Sequence, residues 1–135
     1  ATLTIALDGP LGAGKTTFVR ALATALGADE HSVASPTFVL IHQYQGRQPI
    51  YHFDAYRIRS IEEFRELGCD EYFEGPGISL IEWAQKVSTC LPADRLEIQI
   101  EVVSHRSRQF AFQGRGPTAE TVVRQVAQTL QGATN

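Results

Sequence analysis

Residues Gly9 to Thr16 (GPLGAGKT) fit the spacing G-x-x-x-x-G-K-[ST], and each residue type in it suits the holding of a polyphosphate. Glycines let backbone amides curl around phosphate oxygens where a Cβ would clash. A helix starting here adds free N-terminal amides and the positive end of its dipole. The Lys15 ammonium would reach the β- and γ-phosphates, and the Thr16 hydroxyl would ligate Mg²⁺. Leu11, Gly12, Ala13, Gly14 and Thr17 complete the expected nucleotide-binding set. A chance Gly-rich turn would lack the right neighbours. Here an apolar run, Leu3 to Leu7, precedes the loop, and Phe18, Val19, Leu22, Ala25 and Leu26 follow at helical spacing, with Gly27 as the stop. The glycine order G-x-x-G-x-G departs from the dinucleotide fingerprint.

Phosphate chemistry also needs a carboxylate at the end of a neighbouring buried strand, to hold Mg²⁺ or to orient water. Ile78 to Glu82 (ISLIE) supplies Glu82, where Asp is commoner; the plain alternative is a surface Glu at a strand end. His52, Asp54 and Tyr56 alternate along one predicted strand and share a face, with Phe53 and Ala55 on the other. That face is either a site wall or the solvent side of a hairpin. Arg57 is an ion-pair partner or a surface charge. Thr37, in the turn Ser35-Pro36-Thr37-Phe38, either approaches the γ-phosphate as switch threonines do or only leads into a strand. Trp83 flanks the nucleotide or fills the core. The four histidines are scattered and do not resemble a ligand set.

The elements that must position these groups are short. The 135 residues allow one domain. With 43% hydrophobic and 20% charged residues, disorder and coiled coil are excluded. No apolar run reaches membrane-spanning length and no secretory signal opens the chain, so a cytoplasmic protein is expected. There is no Met: either it was removed before Ala1 or the sequence starts inside a longer product. A net charge of −3 argues against a domain held on nucleic acid by its overall field, and DNA is not an expected partner. Arg106, Arg108 and Arg115 gather near a predicted hairpin, as a solvated face or a partner contact. Cys69 and Cys90 lie too far apart in sequence for a typical zinc pair, and buried thiols are expected rather than a disulfide.

Two predicted strands, Phe38 to Tyr44 and Ile50 to Tyr56, meet at Gln45-Gly46-Arg47-Gln48. Ser60-Ile61-Glu62-Glu63 reads as a capping box for a helix reaching Leu67 and stopping at Gly68. A short helix is expected over Asp70 to Phe73. Leu96 to Val103 pairs with Gln109 to Phe112 across Ser104 to Arg108. Pro117 opens a last helix with Ala119, Val122, Val123, Val126, Ala127 and Leu130 on one face. The sum is an α/β chain: a P-loop NTPase three-layer fold with a mixed, partly parallel sheet and antiparallel hairpin additions.

Four signals stand in order, GPLGAGKTT, SPTF, YHFDAYR and LIEW. Together they resemble the TsaE (YjeE) family, the bacterial ATPase of threonylcarbamoyladenosine (t6A) biosynthesis on tRNA. The likeness runs from the phosphate loop past Trp83, and the capped helix at Ser60 with the stretch Asp70 to Glu74 also looks like the family. It implies that Lys15 and Thr16 bind ATP or ADP with Mg²⁺, that Glu82 and Asp54 act at the metal and in catalysis, and that Thr37 and Trp83 border the nucleotide. It implies TsaB and TsaD as protein partners, with tRNA reached only through that complex and no membrane involved. Family members usually carry an N-terminal segment with a helix, and here eight residues precede Gly9, so residues 1–135 are expected to form a single P-loop ATPase domain without it.

The expected reaction is in-line attack of water on the γ-phosphate, driven by positioning and charge neutralisation. Two other readings stay open: a small-molecule kinase, against which 135 residues leave little for an acceptor pocket and lid, and a nucleotide-dependent binding module that barely hydrolyses. A GTPase is disfavoured, because no N-K-x-D motif appears and Lys86 is the only other lysine.

Overall fold

The computed structural model describes residues 2–29 and 41–134. Six strands form one sheet in the order β2-β3-β4-β1-β5-β6. They are β1 (Thr2–Asp8), β2 (Ile41–Gln45), β3 (Pro49–Asp54), β4 (Gly77–Glu82), β5 (Arg95–Ser104) and β6 (Ser107–Arg115). β1 pairs in parallel with β4 and β5, and β3 in parallel with β4. Each outer pair, β2–β3 and β5–β6, is antiparallel. This is the mixed sheet with hairpin additions that the sequence implies. β4 is buried along its whole length and β1 over its centre, as continuous apolar runs covered on both faces must be.

Helices cover both sides and make three layers. α1 (Lys15–Ala25) and α4 (Pro117–Thr134) pack on one face, where Val19, Ala23 and Ala119 meet Leu7, Leu80 and Ile98. α2 (Ile61–Arg65), α3 (Cys69–Glu74) and a 3₁₀ segment, Ala84–Cys90, cover the other, where Phe64, Phe73 and Val87 meet Phe53 and Ile81. Phe53 and Phe64 are wholly buried; each such side chain contributes about 1.5–3 kcal/mol relative to exposure. Among the described residues no helix is long and apolar enough to cross a membrane.

Local chemistry explains where elements stop. Ser60 Oγ accepts from the Glu63 amide at 3.2 Å, which starts α2, while the Glu63 carboxylate accepts from the Arg59 amide at 3.1 Å. The helix closes at Arg65, before Leu67, and Gly68 turns the chain with φ 72° into α3. α4 is capped from a distance: Asp94 accepts from the amides of Thr118 and Ala119, each at 3.1 Å.

Several expectations need correction. β3 ends at Asp54, because the Asp54 carboxylate accepts from the Tyr56 amide at 2.9 Å and the Ala55 amide donates to the Glu82 carbonyl at 3.0 Å. Tyr56 therefore leaves the strand that His52 and Asp54 share. β6 runs well beyond residues 109–112. In α1 it is Ala23, not Ala25, that is buried. The predicted apolar face of α4 covers the sheet only through Val126; Ala127 and Leu130 are exposed. Of the two thiols expected to be buried, Cys69 is, and burial pushes it up to about 12, but Cys90 is only half-buried. Residues 38–40 of the first predicted hairpin strand lie outside the described residues.

Candidate functional site

The site sits at the C-terminal ends of β1, β3 and β4. β1 delivers the chain to Gly9, whose φ is 155° and whose absent Cβ would stand 2.5 Å from the Ile100 carbonyl oxygen on β5. Only glycine passes that close to β5. The loop then turns through Gly12 (φ 80°) and Gly14 (φ 109°), and α1 begins at Lys15. Gly14 to Thr17, at that helix start, line a cleft of about 330 Å³.

The β3–β4 register sets Asp54 opposite Glu82, so two carboxylates share one level beside the loop. The Thr16 hydroxyl lies 3.1 and 3.2 Å from the two Glu82 oxygens and donates to the carboxylate. Lys15 is buried under the loop. Its ammonium donates to the Gly9 carbonyl at 2.7 Å and the Pro10 carbonyl at 3.0 Å, and it stands 4.0 Å from the Trp83 ring centroid. Burial pushes the Lys15 pKa down, and the charges of Glu82, Asp8 and Asp54 pull it back up. Burial raises the pKa of Asp54; the Tyr56 amide opposes this, and the neighbouring Glu82 adds to it. Asp8 is raised by burial as well.

Trp83 is the only described non-glycine residue at positive φ, 60°. Its amide donates to the Leu7 carbonyl at 2.9 Å, and its ring packs on Tyr56 at 5.0 Å between centroids. A left-handed backbone at a bulky residue costs about 1–3 kcal/mol and collects at functional sites. Here it aims the indole over the lysine.

Of the residues singled out from sequence, Leu11, Gly12, Gly14, Lys15, Thr16 and Thr17 line the cleft, with Asp54, Glu82 and Trp83 opposite. Ala13 does not line it: its side chain is in the core, and its amide donates to the Pro10 carbonyl at 3.0 Å. Thr37 lies outside the described residues. Tyr56 and Arg57 do reach the cleft. Three contacts gave no sequence signal. His52, grouped above with a site wall, is fully buried with Nε2 2.5 Å from Glu82 Oε2. Arg108 on β6 donates through Nε to the Ala13 carbonyl at 3.1 Å, so the outer hairpin grips the loop. The Lys86 ammonium donates to the Tyr56 carbonyl at 2.6 Å.

Hard oxygen donors, a hydroxyl beside two carboxylate oxygens, suit a small hard cation that takes its remaining ligands from phosphate and water. Among the described residues no group of three or more His, Cys, Asp or Glu is placed to hold a metal by protein ligands alone. The amides at the start of α1 and the lysine suit a polyphosphate.

A family model described as "Threonylcarbamoyl adenosine biosynthesis protein TsaE" matches residues 1–110. The chain is similar to the "tRNA threonylcarbamoyladenosine biosynthesis protein TsaE" of Bacillus subtilis, 40% identical over 124 residues that cover 91% of this chain and 77% of that protein. A protein of the same description from Treponema pallidum is 41% identical over 106 residues, 78% of either chain. The crystal structure of Bacillus subtilis YdiB superposes with a TM-score of 0.77 at 34% identity, covering 95% of this chain and 78% of that one. Loop, strand order and sequence likeness thus converge: the chain belongs to the TsaE family.

Proposed function

We propose that this protein is a Mg²⁺-dependent ATPase that serves t6A formation on tRNA together with TsaB and TsaD. The observation that carries the reading is the seating of Lys15 and Thr16 at the start of α1 against Glu82 on β4. Family membership supplies the pathway. The loop amides and Lys15 bind the β- and γ-phosphates. To do so the ammonium turns from the Gly9 and Pro10 carbonyls toward phosphate oxygens, which are better acceptors because they are charged. Thr16 Oγ1 and Glu82 would hold Mg²⁺, with Asp54 beside them; bound there, the ion neutralises charge on the phosphates. Asp54 or Glu82 orients a water for in-line attack on the γ-phosphorus: the new P–O bond forms as the bond to the β-phosphate oxygen breaks, giving ADP and phosphate. Burial raises the basicity of Asp54, which favours its acceptance of a hydrogen bond from that water.

The partners follow from the family resemblance, and the ATPase would act on the assembly rather than on the tRNA base. Two measurements test the reading. Phosphate release is followed with and without TsaB and TsaD, and the gene is supplied to a strain lacking TsaE. Hydrolysis stimulated by the partners and restored t6A support it. A soluble, full-length protein that binds ATP but restores no t6A overturns the pathway assignment.

A further inference from the structure

Glu82 is held from two sides. Thr16 approaches from the loop, and His52 from within the core beneath it. His52 is wholly buried on β3, on the sheet face that α1 covers, in a layer otherwise built from Ile50, Leu80 and Leu7. A carboxylate only accepts hydrogen bonds, so at 2.5 Å Nε2 is the donor. The other ring nitrogen, Nδ1, has no hydrogen-bond partner among the described residues. A leucine or isoleucine would fill this apolar position without leaving a buried polar atom unpaired, a cost of about 1–3 kcal/mol. The one polar thing the imidazole does here is grip Glu82.

That grip has a definite mechanical effect. The last torsion of a glutamate is broad and defines no single plane for the carboxylate. Fixing Oε2 from beneath sets the plane in which both oxygens lie, 3.1 and 3.2 Å from the Thr16 hydroxyl. We propose that His52 is a positioning residue: its Nε2–H pins Glu82 Oε2, so that Glu82 and the Thr16 hydroxyl present a preset pair of oxygens to Mg²⁺. This rests on the reading of Thr16 and Glu82 as the Mg²⁺ ligands. The Thr16 hydroxyl would offer a lone pair to the ion while its single hydrogen still points to Glu82, and His52 holds the carboxylate from the opposite side. Partners of this kind behind a metal ligand are typically worth 10–100-fold in metal affinity.

The test compares three variants by calorimetry of ADP binding across a Mg²⁺ titration, with a parallel titration in chelator. His52→Leu keeps most of the volume and removes the donor. His52→Gln places an amide N–H near the position of Nε2, whereas His52→Asn places one near that of Nδ1. The Mg²⁺ midpoint should rise about 10–100-fold in His52→Leu and His52→Asn. It should stay close to wild type in His52→Gln, with ADP affinity in chelator unchanged in all three. A folded His52→Leu with the wild-type midpoint overturns the proposal. If the leucine variant does not fold, the Gln and Asn variants decide, and equal midpoints overturn it. Wild-type ADP binding that ignores Mg²⁺ instead overturns the metal reading of Thr16 and Glu82 itself.

Discussion

Replacing Lys15 by alanine should weaken ATP binding about 30- to 1,000-fold while leaving the fold intact. In the free protein the ammonium is committed to the loop, with two carbonyl acceptors at 2.7 and 3.0 Å and an indole face at 4.0 Å. Its pKa is pushed down by burial, so the site holds a cation short of solvation. Phosphate oxygens replace neutral carbonyls with charged acceptors, and truncating a desolvated charge pair typically costs roughly 2–4 kcal/mol, which sets the fold-change. The effect on stability is smaller, because the variant loses two hydrogen bonds but also sheds a buried charge. Its thermal midpoint should move by no more than about 4 °C, the shift that ~1 kcal/mol makes in a domain of this size. Calorimetry with Mg²⁺ and ATP reads the affinity. Trp83, the only tryptophan in the chain, reads the geometry. Its emission should differ between the two proteins before any nucleotide is added, because the ammonium no longer sits on the ring. It should respond to ATP in wild type and stay flat in the variant at the same concentrations. An affinity within threefold of wild type, in a folded variant, would refute Lys15 as the phosphate anchor.

Glu82→Gln should keep the fold and much of the ATP binding but lose turnover, since the amide cannot hold Mg²⁺ as a charge or act as a base; near-wild-type phosphate release in the presence of TsaB and TsaD would make Asp54→Asn the decisive variant. Gly9→Ala forces a Cβ to 2.5 Å from the Ile100 oxygen at φ 155°, so its urea midpoint should fall by an amount equivalent to about 1–3 kcal/mol; an unchanged midpoint would mean that β5 yields freely. Asp94 has its folded pKa lowered by the Ala119 amide first, with the Thr118 amide adding to it. Its capping contribution is therefore complete above the unfolded carboxylate value of about 3.9 and lost as pH falls through the folded value. The stability deficit of Asp94→Ala should be constant from neutral pH to about 5 and shrink under stronger acid; a deficit still full at pH 2 would show that packing, not charge, ties down α4.

The loop Gly9 to Thr16 was legible because its pattern is local: the glycines, Lys15, Thr16 and the flanking apolar runs carry the signal within a few residues of one another. β4 was legible for the same reason, as a short, mostly apolar run ending in a carboxylate. What could not be read were facts set by neighbours distant in sequence. His52 alternates with Asp54, as a site wall would, but its burial depends on β3 lying beside β4 in parallel, and nothing in the local pattern announces that neighbour. Tyr56 was placed on the same face by extending the alternation two residues too far; Asp54 ends the strand by accepting from the Tyr56 amide. α4 begins with a proline, but the carboxylate that caps it stands on the far side of β5 and β6 in sequence. Apolar periodicity located that helix and overstated its cover, since Leu130 runs past the sheet into solvent. The 3₁₀ segment Ala84–Cys90, too short for a periodic signature, was not foreseen.

Because β1 lies between β4 and β5, the site is made in one order and completed in another. The strand and loop that carry Lys15 are synthesised before the strands that flank them, and their long-range partners arrive late. Thr16 finds Glu82 66 residues further on. Asp8 receives the Gln85 amide across 77 residues, and Ala13 is gripped by Arg108 across 95. At ribosomal rates of about 5–20 residues per second, the loop emerges roughly 5–20 s before its last clasp exists. Until β4 is made, an apolar strand has neither of its neighbours, the exposure that makes parallel sheets slow to fold and open to misassociation. A nascent chain stopped before β4 has the loop in its sequence but none of the contacts that Glu82, Gln85 and Arg108 supply.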